Sequence, residues 1–401
     1  MSQRRTLGVL VAAQIAGSIG TGASVSVGAV LAADLSGSAA WSGSASTMST
    51  LGAALWALPL ARAAAARGRR LALSLGWAVS LLGAVLVIAA AVARSFPLTL
   101  PAMLLMGAGN AANLQSRFAA TDLADPRHRG RSLALVVWAS TIGAVAGPNL
   151  TRPGASVAEF LGIPTLSGPF VFSAAAAGVA AVVLFVALRP DPLARNGSRG
   201  RNLRIGWAAV KSSPQARFGV ATVAFSHAVM VSLMAMTPVH MQQHGATLTI
   251  VGLTISLHIA GMYALSPVMG WISDRVGRVR TALAGQAILV LAVLLAALSG
   301  DSMTVVTIAL ITLGLGWSMS TVAGSTLVAD SVELARRPAV QGVSDLLMSL
   351  AGAIGAALSG VVLTLITYTG LSLAAGLLVL PVIVFSLTVP ARQNQGLDQP
   401  R

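Results

Sequence analysis

The chain has 401 residues, of which 55% are hydrophobic and 9% are charged, and its formal net charge is +15. Soluble domains carry about 25% charged residues, so this balance excludes an ordinary soluble enzyme and a disordered chain. The absence of cysteine excludes disulfides and thiolate metal sites. These features predict an all-α membrane protein with many spans, because each spanning helix needs about 20 mostly apolar residues.

The apolar stretches fall into two sets of six. We expect an N-terminal six-helix half at 1–188, a cytoplasmic linker at 189–216, a C-terminal six-helix half at 217–389 and a cytoplasmic tail at 390–401. The linker is polar and rich in proline and glycine. The twelve predicted transmembrane helices lie at about 7–34, 43–61, 71–93, 98–121, 132–150, 167–188, 217–242, 248–272, 280–299, 303–328, 341–364 and 369–389.

The positive charge follows the predicted topology. With the N-terminus inside, all of the 26 basic residues except Arg94 and Arg152 lie on the cytoplasmic side. Such a bias sets the orientation of membrane proteins. The charge therefore predicts a protein of the bacterial plasma membrane with both termini in the cytoplasm. Its basic face would contact anionic lipid, and no nucleic-acid partner is expected.

A motif follows the eighth predicted span. Residues 270–278 read Gly-Trp-Ile-Ser-Asp-Arg-Val-Gly-Arg, which resembles the G-x-x-x-D-R-x-G-R signature of major facilitator transporters. The resemblance covers the whole chain and implies two pseudo-symmetric halves that work by alternating access. It implies a cytoplasmic gate formed by Asp274, Arg275, Gly277 and Arg278. The glycines allow a tight turn, and Asp274 can cap or pair at a neighbouring helix end.

Methionine and histidine concentrate in the seventh and eighth predicted spans. Met230 and Met234 share a helix face, as do His258 and Met262 on the next helix, because each pair is spaced i, i+4. At about 1.5 Å per residue the two pairs reach similar depth near the bilayer midplane. Transporters of this architecture bind substrate there, between the halves. Thioether sulfur together with imidazole favours Cu(I) over harder ions.

These residues resemble the CcoA-type copper importer branch of the superfamily, which carries M-x-x-x-M in the seventh span and H-x-x-x-M in the eighth. The resemblance implies that Met230, Met234, His258 and Met262 are metal ligands, with copper as transported substrate rather than cofactor. The chain departs from the branch because it has no cysteine. Relatives within the branch are associated with riboflavin import, so the branch leaves the substrate open.

Four further residues are candidate relay ligands. His227 extends the face of Met230 and is interpreted as a relay ligand or, preferably, a packed polar residue. His240, Met241 and His244 lie at the predicted outer mouth. They form either a capture site for incoming metal or a solvated loop pair.

Polar residues also lie along the predicted pathway, at Gln14, Asn110, Asn113, Gln115 and Arg117. Such side chains either join helices through hydrogen bonds or contact an organic substrate. Arg117 is expected to pair with Asp122 or Asp345 in an inner gate. The aspartates Asp34, Asp122, Asp330 and Asp345 all lie near predicted helix ends, which disfavours a drug/proton antiporter.

The leading prediction is copper import by a monomeric secondary transporter that needs no cofactor. The first alternative is import or export of a small organic solute, riboflavin-like or drug-like, with the methionines forming an adaptable apolar wall. The second is a membrane receptor that binds without transporting. The sequence has no nucleotide-binding loop and gives no reason to expect an enzyme.

Overall fold

The computed structural model describes residues 3–38, 41, 43–193 and 203–389. The predicted tail at 390–401 and Arg195, Arg199 and Arg201 of the predicted linker lie outside the described residues. No β-strand occurs in the described ranges, so the all-α prediction is confirmed. The helices are α1 (Gln3–Ser36), α2 (Ser44–Arg67), α3 (Arg69–Val92), α4 (Phe96–Ala119), α5 (Arg129–Asn149), α6 (Thr151–Leu161), α7 (Gly168–Ala187), α8 (Leu203–Ser212), α9 (Pro214–Gln243), α10 (Leu248–Tyr263), α11 (Ser266–Val276), α12 (Arg278–Ala297), α13 (Met303–Asp330), α14 (Arg337–Leu377) and α15 (Leu380–Ser386).

The helices before and after α8 pack mainly within their own group. In the N-terminal half, α1–α7, α1 packs against α5 and α7, and α4 packs against α2 and α3. In the C-terminal half, α9–α15, α13 packs against α9, α10 and α12, and α14 packs against α9. The halves meet along two seams, α2 with α14 and α5 with α11. The predicted domain limits 1–188, 189–216 and 217–389 stay predictions.

Eight helical segments of the described chain are long and apolar enough to cross a membrane. They are Gln3–Ser36, Arg69–Val92, Thr165–Ala187, Pro214–Gln243, Ile250–Val276, Arg278–Ala297, Met303–Asp330 and Leu334–Ser386. The last of these contains two predicted spans. Helices α2, α4 and α5 coincide with three other predicted spans but are less apolar, and α4 carries Asn110, Gln115 and Arg117. The protein is therefore an all-α, multi-pass membrane protein, and the count of twelve spans stays a prediction.

The backbone leaves helical geometry at one break inside a predicted span and at a second break between two predicted spans. The predicted stretch 248–272 forms two helices, α10 and α11, with a short break between them. Pro267 follows the break, and its ring would collide with the main-chain oxygen of Tyr263 if α10 continued. Within α14, Ile366 and Thr367 are non-helical, and Thr367 has a φ of 63°. This second break coincides with the predicted boundary between the last two spans.

Close helix crossings in the N-terminal half depend on glycine. A Cβ atom on Gly22 of α1 would lie 2.6 Å from the main-chain oxygen of Gly143 in α5. A Cβ atom on Gly147 would lie 2.4 Å from the Cα atom of Gly22. Apolar lipid gives little hydrophobic force between helices, so membrane helices associate through close backbone packing at small residues. The α1–α5 crossing is such a contact.

We expect Gly22→Val to separate α1 from α5 and to destabilise the protein by about 1–3 kcal/mol, as overpacking typically does. Thermal unfolding of the purified protein in detergent measures this change. Gly8→Val is the matched control on the same helix, because a Cβ atom there meets nothing within 4 Å. Equal melting temperatures for the two variants would contradict the close crossing.

Candidate functional site

Charged side chains join the two halves at one end of the molecule. We call it the basic end, because the arginine-rich loops 62–70, 120–131 and 273–280 lie there. Arg129 at the start of α5 pairs with Asp330 at the end of α13. Arg278 at the start of α12 donates a hydrogen bond to the main-chain oxygen of Pro126 in the other half. Charge-assisted hydrogen bonds are roughly twice as strong as neutral ones. The basic end is therefore closed in this structure.

Asp274 caps the first turn of α5 across the seam between the halves. Its carboxylate oxygens accept hydrogen bonds from the main-chain N–H groups of Gly130 and Arg131, both at 2.9 Å. N–H groups in a first helical turn have no partner within the helix, and the helix dipole favours a negative charge beside them. Arg278 lies 3.3 Å from Asp274 and 3.1 Å from Asp330, so it holds both carboxylates.

The four residues of the predicted gate therefore have different surroundings. Asp274 and Arg278 lie in the contacts that close the basic end, and Asp274 caps a neighbouring helix as expected. Gly277 has a φ of 102° and forms the turn between α11 and α12. Arg275 is exposed and lies over the ring of Trp271 on its own helix, 5.0 Å from the ring centroid. The gating function of the four residues stays a prediction.

The α2–α14 seam is built differently. In the corresponding loop of the first half, residues 61–69, Ala65 occupies the position that Asp274 has in the motif. Arg69 pairs with Asp122 of the same half at 2.7 Å and donates to the side-chain oxygen of Gln341 in α14. Asp191, after α7, accepts hydrogen bonds from the main-chain N–H groups of Arg69 and Arg70 at 3.0 and 2.9 Å. This cap joins the segment after α7 to the start of α3, whereas the Asp274 cap joins the two halves.

A buried ion pair joins the halves further into the molecule. The Nη2 atom of Arg117 on α4 lies 2.7 Å from the Oδ1 atom of Asp345 on α14, and the two side chains are 3% and 0% exposed. Of the two partners expected for Arg117, Asp345 forms the contact and Asp122 does not. The expectation that Asp345 lies near a helix end was wrong. Helix α14 begins at Arg337 rather than at 341, which places Asp345 about two turns inside it.

Three aromatic side chains of the C-terminal half contact one another in sequence, and we call His227, Tyr263 and Trp317 the aromatic wall. The indole N–H of Trp317 on α13 donates to Nδ1 of His227 on α9 at 3.1 Å. The ring of Tyr263 on α10 meets Trp317 edge-on, with centroids 5.8 Å apart. Trp317 shares its apolar cluster with Met348, whose sulfur atom lies 3.5 Å from Nη2 of Arg117, so the aromatic wall and the ion pair are neighbours through Met348. Trp317 is thus held in one orientation by its hydrogen bond.

The predicted metal ligands lie in the C-terminal half. Met230 and Met262 are buried in one apolar cluster, and Met234 packs against it. His258 is buried, with Nδ1 hydrogen-bonded to the main-chain oxygen of Leu310 at 2.7 Å. Its Nε2 atom has no hydrogen-bond partner among the described residues. Within the same residues, no group of three or more His, Asp or Glu side chains is placed to hold a metal ion.

The predicted relay residues other than His227 lie at the opposite end of α9. The rings of His240 and His244 are 4.3 Å apart, and His240 stacks on Tyr368 at 4.1 Å. The Nε2 atom of His244 lies 3.3 Å from Oδ1 of Asp301. Met241 is buried in a separate apolar cluster. The two histidines therefore contact each other and ordinary protein partners.

Three of the predicted pathway residues link helices of the N-terminal half through their amides. The bonds run from Gln14 to the hydroxyl of Ser140 at 2.8 Å, from Asn110 to the hydroxyl of Ser49 at 2.9 Å, and from Gln115 to the main-chain oxygen of Ala57 at 2.8 Å. Asn113 is half-buried. Gln14 and Gln115 are almost fully buried, which favours a packing role for both. Asn110 also lines a pocket.

Sequence reasoning missed Trp317, Gln341 and Asp191. Trp317 lies within a long apolar span, and a buried indole N–H generally requires a partner. The need for an acceptor of the indole N–H could have indicated from the sequence that a polar group lies beside Trp317. Gln341 and Asp191 contact residues far away in sequence, so local spacing carried no signal for them.

The fold and the closed basic end are those of a membrane transporter with two helical halves. The sequence profile of the Major Facilitator Superfamily matches residues 9–251 and 218–400. The chain is 41% identical over 397 residues to the uncharacterized MFS-type transporter YdeG of Bacillus subtilis (strain 168), which covers 96% of this chain and 92% of that protein. The chain therefore belongs to the Major Facilitator Superfamily. It is a transporter of a small-molecule substrate in a lipid environment and not an enzyme.

Two further similarities extend this assignment. The riboflavin transporter RfnT of Brucella anthropi is 30% identical over 353 residues, covering 86% of this chain and 85% of that protein. The crystal structure of the human organic anion transporter MFSD10 has a TM-score of 0.78 at 18% identity, covering 96% of this chain and all of that one. The second similarity concerns the fold alone.

We expect Asp274→Asn to make the basic end open more often, because the substitution removes the carboxylate that caps α5. The chain has no cysteine, so a single Ser344→Cys reports opening through its reaction rate with a maleimide in detergent. Ser344 lies in α14 and is 0% exposed. Loss of a helix cap costs about 1 kcal/mol, so the labelling rate should rise roughly fivefold.

Asp34→Asn is the matched control for this measurement. It breaks an exposed 3.7 Å pair with Arg94 that lies within the N-terminal half, at the opposite end of α1 from the basic end. It should leave the labelling rate of Ser344→Cys unchanged. An unchanged rate in Asp274→Asn as well would show that Asp274 does not hold the basic end closed.

Proposed function

We propose that the protein moves a small organic solute with a flat ring system, of riboflavin-like chemistry, across the bacterial plasma membrane by alternating access. The observation that carries this proposal is the aromatic wall, which lies in the same apolar cluster as Met348, a direct neighbour of the buried Arg117–Asp345 pair where the halves meet. An indole ring provides a large, rigid face for stacking a flat ring. The charged pair beneath it separates when the basic end opens.

Two further facts support this function. The riboflavin transporter RfnT is similar over most of both chains. Because contacts close the basic end, the solute would enter at the opposite end, and the arginine distribution predicts that the basic end and both termini lie in the cytoplasm. The solute would therefore enter the transporter from outside the cell, reach the aromatic wall, and leave into the cytoplasm once the basic end opens. We expect the protein to act as a monomer.

We expect cells that express the protein to accumulate radiolabelled riboflavin, and Trp317→Leu to reduce the initial uptake rate at low riboflavin at least tenfold. Removal of a central tryptophan typically costs 2 kcal/mol or more of binding free energy. Trp207→Leu on α8 is the matched control, because this tryptophan is 38% exposed and lies away from the wall. Expression of each variant is matched by immunoblot.

Each outcome of the uptake measurement has a definite meaning. No uptake above that of cells without the protein would exclude riboflavin as substrate. Full uptake by cells expressing Trp317→Leu would show that the aromatic wall is not part of the transport site. Equal losses in Trp317→Leu and Trp207→Leu would reflect a general loss of folding.

Copper import is the second candidate function, and the surroundings of His258 favour it. The bond from Nδ1 to the main-chain oxygen of Leu310 fixes the ring and leaves Nε2 as the free nitrogen. Metal-ligating histidines are held in this way by a partner of their other nitrogen. The thioethers of Met230, Met234 and Met262 would complete a soft, uncharged ligand set for Cu(I). Copper ranks second because the apolar cluster already accounts for the burial of these methionines.

We expect, on the copper hypothesis, that expression raises cellular copper at limiting external copper and that Met234→Ala and His258→Ala abolish the rise. Met303→Ala at the start of α13 is the matched control. Copper content is measured by mass spectrometry at equal expression. Unchanged copper in cells with the native sequence would leave the methionines as packing residues, and lowered copper would indicate export.

A further inference from the structure

A pocket of about 70 Å³ lies inside the N-terminal half, between α1, α2, α3, α4 and α7. Six serine or threonine hydroxyls and the amide of Asn110 line it, with the ring of Trp77. No charged side chain belongs to its lining in the described part of the chain. Gly17 and Gly20 of α1 also line the pocket, and a Cβ atom on Gly17 would lie 2.1 Å from the ring of Trp77. The pocket therefore combines a mainly apolar surface with several uncharged polar groups, and no residue of the aromatic wall lines it.

The hydrogen bonds around the pocket consume most of the hydroxyl donors and leave acceptors. The hydroxyl of Thr21 donates to the main-chain oxygen of Gly17 at 3.1 Å, and that of Ser173 donates to Gly20 at 2.7 Å. The hydroxyls of Ser24, Ser46 and Ser80 donate to other main-chain oxygens. One N–H of the Asn110 amide donates to the hydroxyl of Ser49, so among the described residues its second N–H, the Ser49 O–H and the Asn110 amide oxygen stay available. The lone pairs of these hydroxyls and the Asn110 amide oxygen remain for a ligand.

This arrangement selects one chemical class of ligand. A cation would lose its hydration without meeting a negative charge, and an anion would meet oxygen lone pairs. An apolar group would leave the acceptors unpaired, at about 1–3 kcal/mol for each buried acceptor. A neutral group with several O–H donors satisfies the lining. The volume holds about five groups the size of a water molecule, which suits a short polyol chain rather than a whole solute.

Helix α4 connects the pocket to the aromatic wall. Asn110 lines the pocket, and Leu114, one turn further, packs against the apolar cluster that contains Trp317. Arg117, seven residues from Asn110, pairs with Asp345. Seven residues of helix rise about 10 Å, so Asn110 and Arg117 are separated by about that distance along α4.

We propose that this pocket binds the polyhydroxylated tail of the solute whose ring lies on the aromatic wall. The inference rests on the proposed function, because it assigns the second end of the same ligand. On this proposal both halves contribute to one binding site. The C-terminal half binds the ring of the solute, and the N-terminal half binds its tail. The transported solute then has a flat ring at one end and a chain of hydroxyl groups at the other.

The experiment compares two flavins that differ only in the tail. Riboflavin carries a five-carbon polyol chain, and lumiflavin carries a methyl group in its place. Binding of both to the purified full-length protein is measured by equilibrium dialysis in detergent. The test variant is Thr21→Val with Asn110→Leu, which removes two acceptors and preserves side-chain shape. We expect riboflavin affinity to fall at least tenfold and lumiflavin affinity to stay unchanged.

Thr222→Val is the matched control for the threonine change. The hydroxyl of Thr222 donates to the main-chain oxygen four residues earlier, as that of Thr21 does, but it lies in the C-terminal half outside the pocket. Its riboflavin affinity should equal that of the native sequence. Equal losses of riboflavin and lumiflavin in the double variant, or no loss of riboflavin, would overturn the proposal.

A second measurement separates failure of the pocket from failure of the proposed function. Ser46 is exposed and lines the pocket, so Ser46→Cys provides a single thiol whose maleimide labelling ribitol should slow. In one outcome neither flavin binds, ribitol slows labelling of Ser46→Cys, and ribitol does not slow it when the two substitutions of the double variant are also present. This outcome would support the polyol pocket and exclude a flavin as the substrate. If ribitol has no effect and both flavins bind the native and double-variant proteins equally, the polyol pocket is excluded and the aromatic wall remains as the flavin site.

Discussion

The closed arrangement depends on the buried ion pair between Arg117 and Asp345. Moving two charges out of water costs several kcal/mol for each ion, and their attraction offsets this cost only while they stay together. Separating them without water would leave uncompensated charges, at about 3–5 kcal/mol. The basic end is therefore either shut with the pair intact or open with both charges hydrated. Arg117 Nε and Asp345 Oδ2, which have no hydrogen-bond partner among the described residues, offer the first sites for entering water.

The two seams between the halves are held by different polar contacts but are both closely packed. At the α5–α11 seam, Asp274 binds main-chain N–H groups, and a Cβ atom on Gly270 would lie 2.6 Å from the main-chain oxygen of Gly130. At the α2–α14 seam the polar contact of Arg69 with Gln341 joins two side chains. A Cβ atom on Gly342 of α14 would lie 2.4 Å from the Cβ atom of Ala61 in α2, so helix backbones also approach closely there.

Local features of this fold could be predicted from the sequence, whereas long-range partners could not. The turn at Gly277 follows from spacing within one motif, whereas Gly130, in the helix that Asp274 caps, lies 144 residues away in the chain. The choice of Asp345 by Arg117 depends on how α4 aligns with α14, across 228 residues of chain. Helix α14 starts a few residues earlier than predicted, which places that carboxylate inside the helix rather than at its end. Methionines spaced i, i+4 are equally ambiguous, because a metal ligand and a core side chain both require a buried helix face.

Helix α4 provides a physical link between solute binding and opening. It carries Asn110 in the pocket and Arg117 in the ion pair, with Leu114 between them against the core of the other half. On the proposed function, a solute that reaches from the pocket to Trp317 would draw the Asn110 end of α4 toward the C-terminal half. If α4 tilted as a rigid rod about Leu114, that motion would carry Arg117 away from Asp345. Binding energy at the outer end would then offset the cost of separating the pair, and an empty transporter, lacking this energy, would keep its basic end closed.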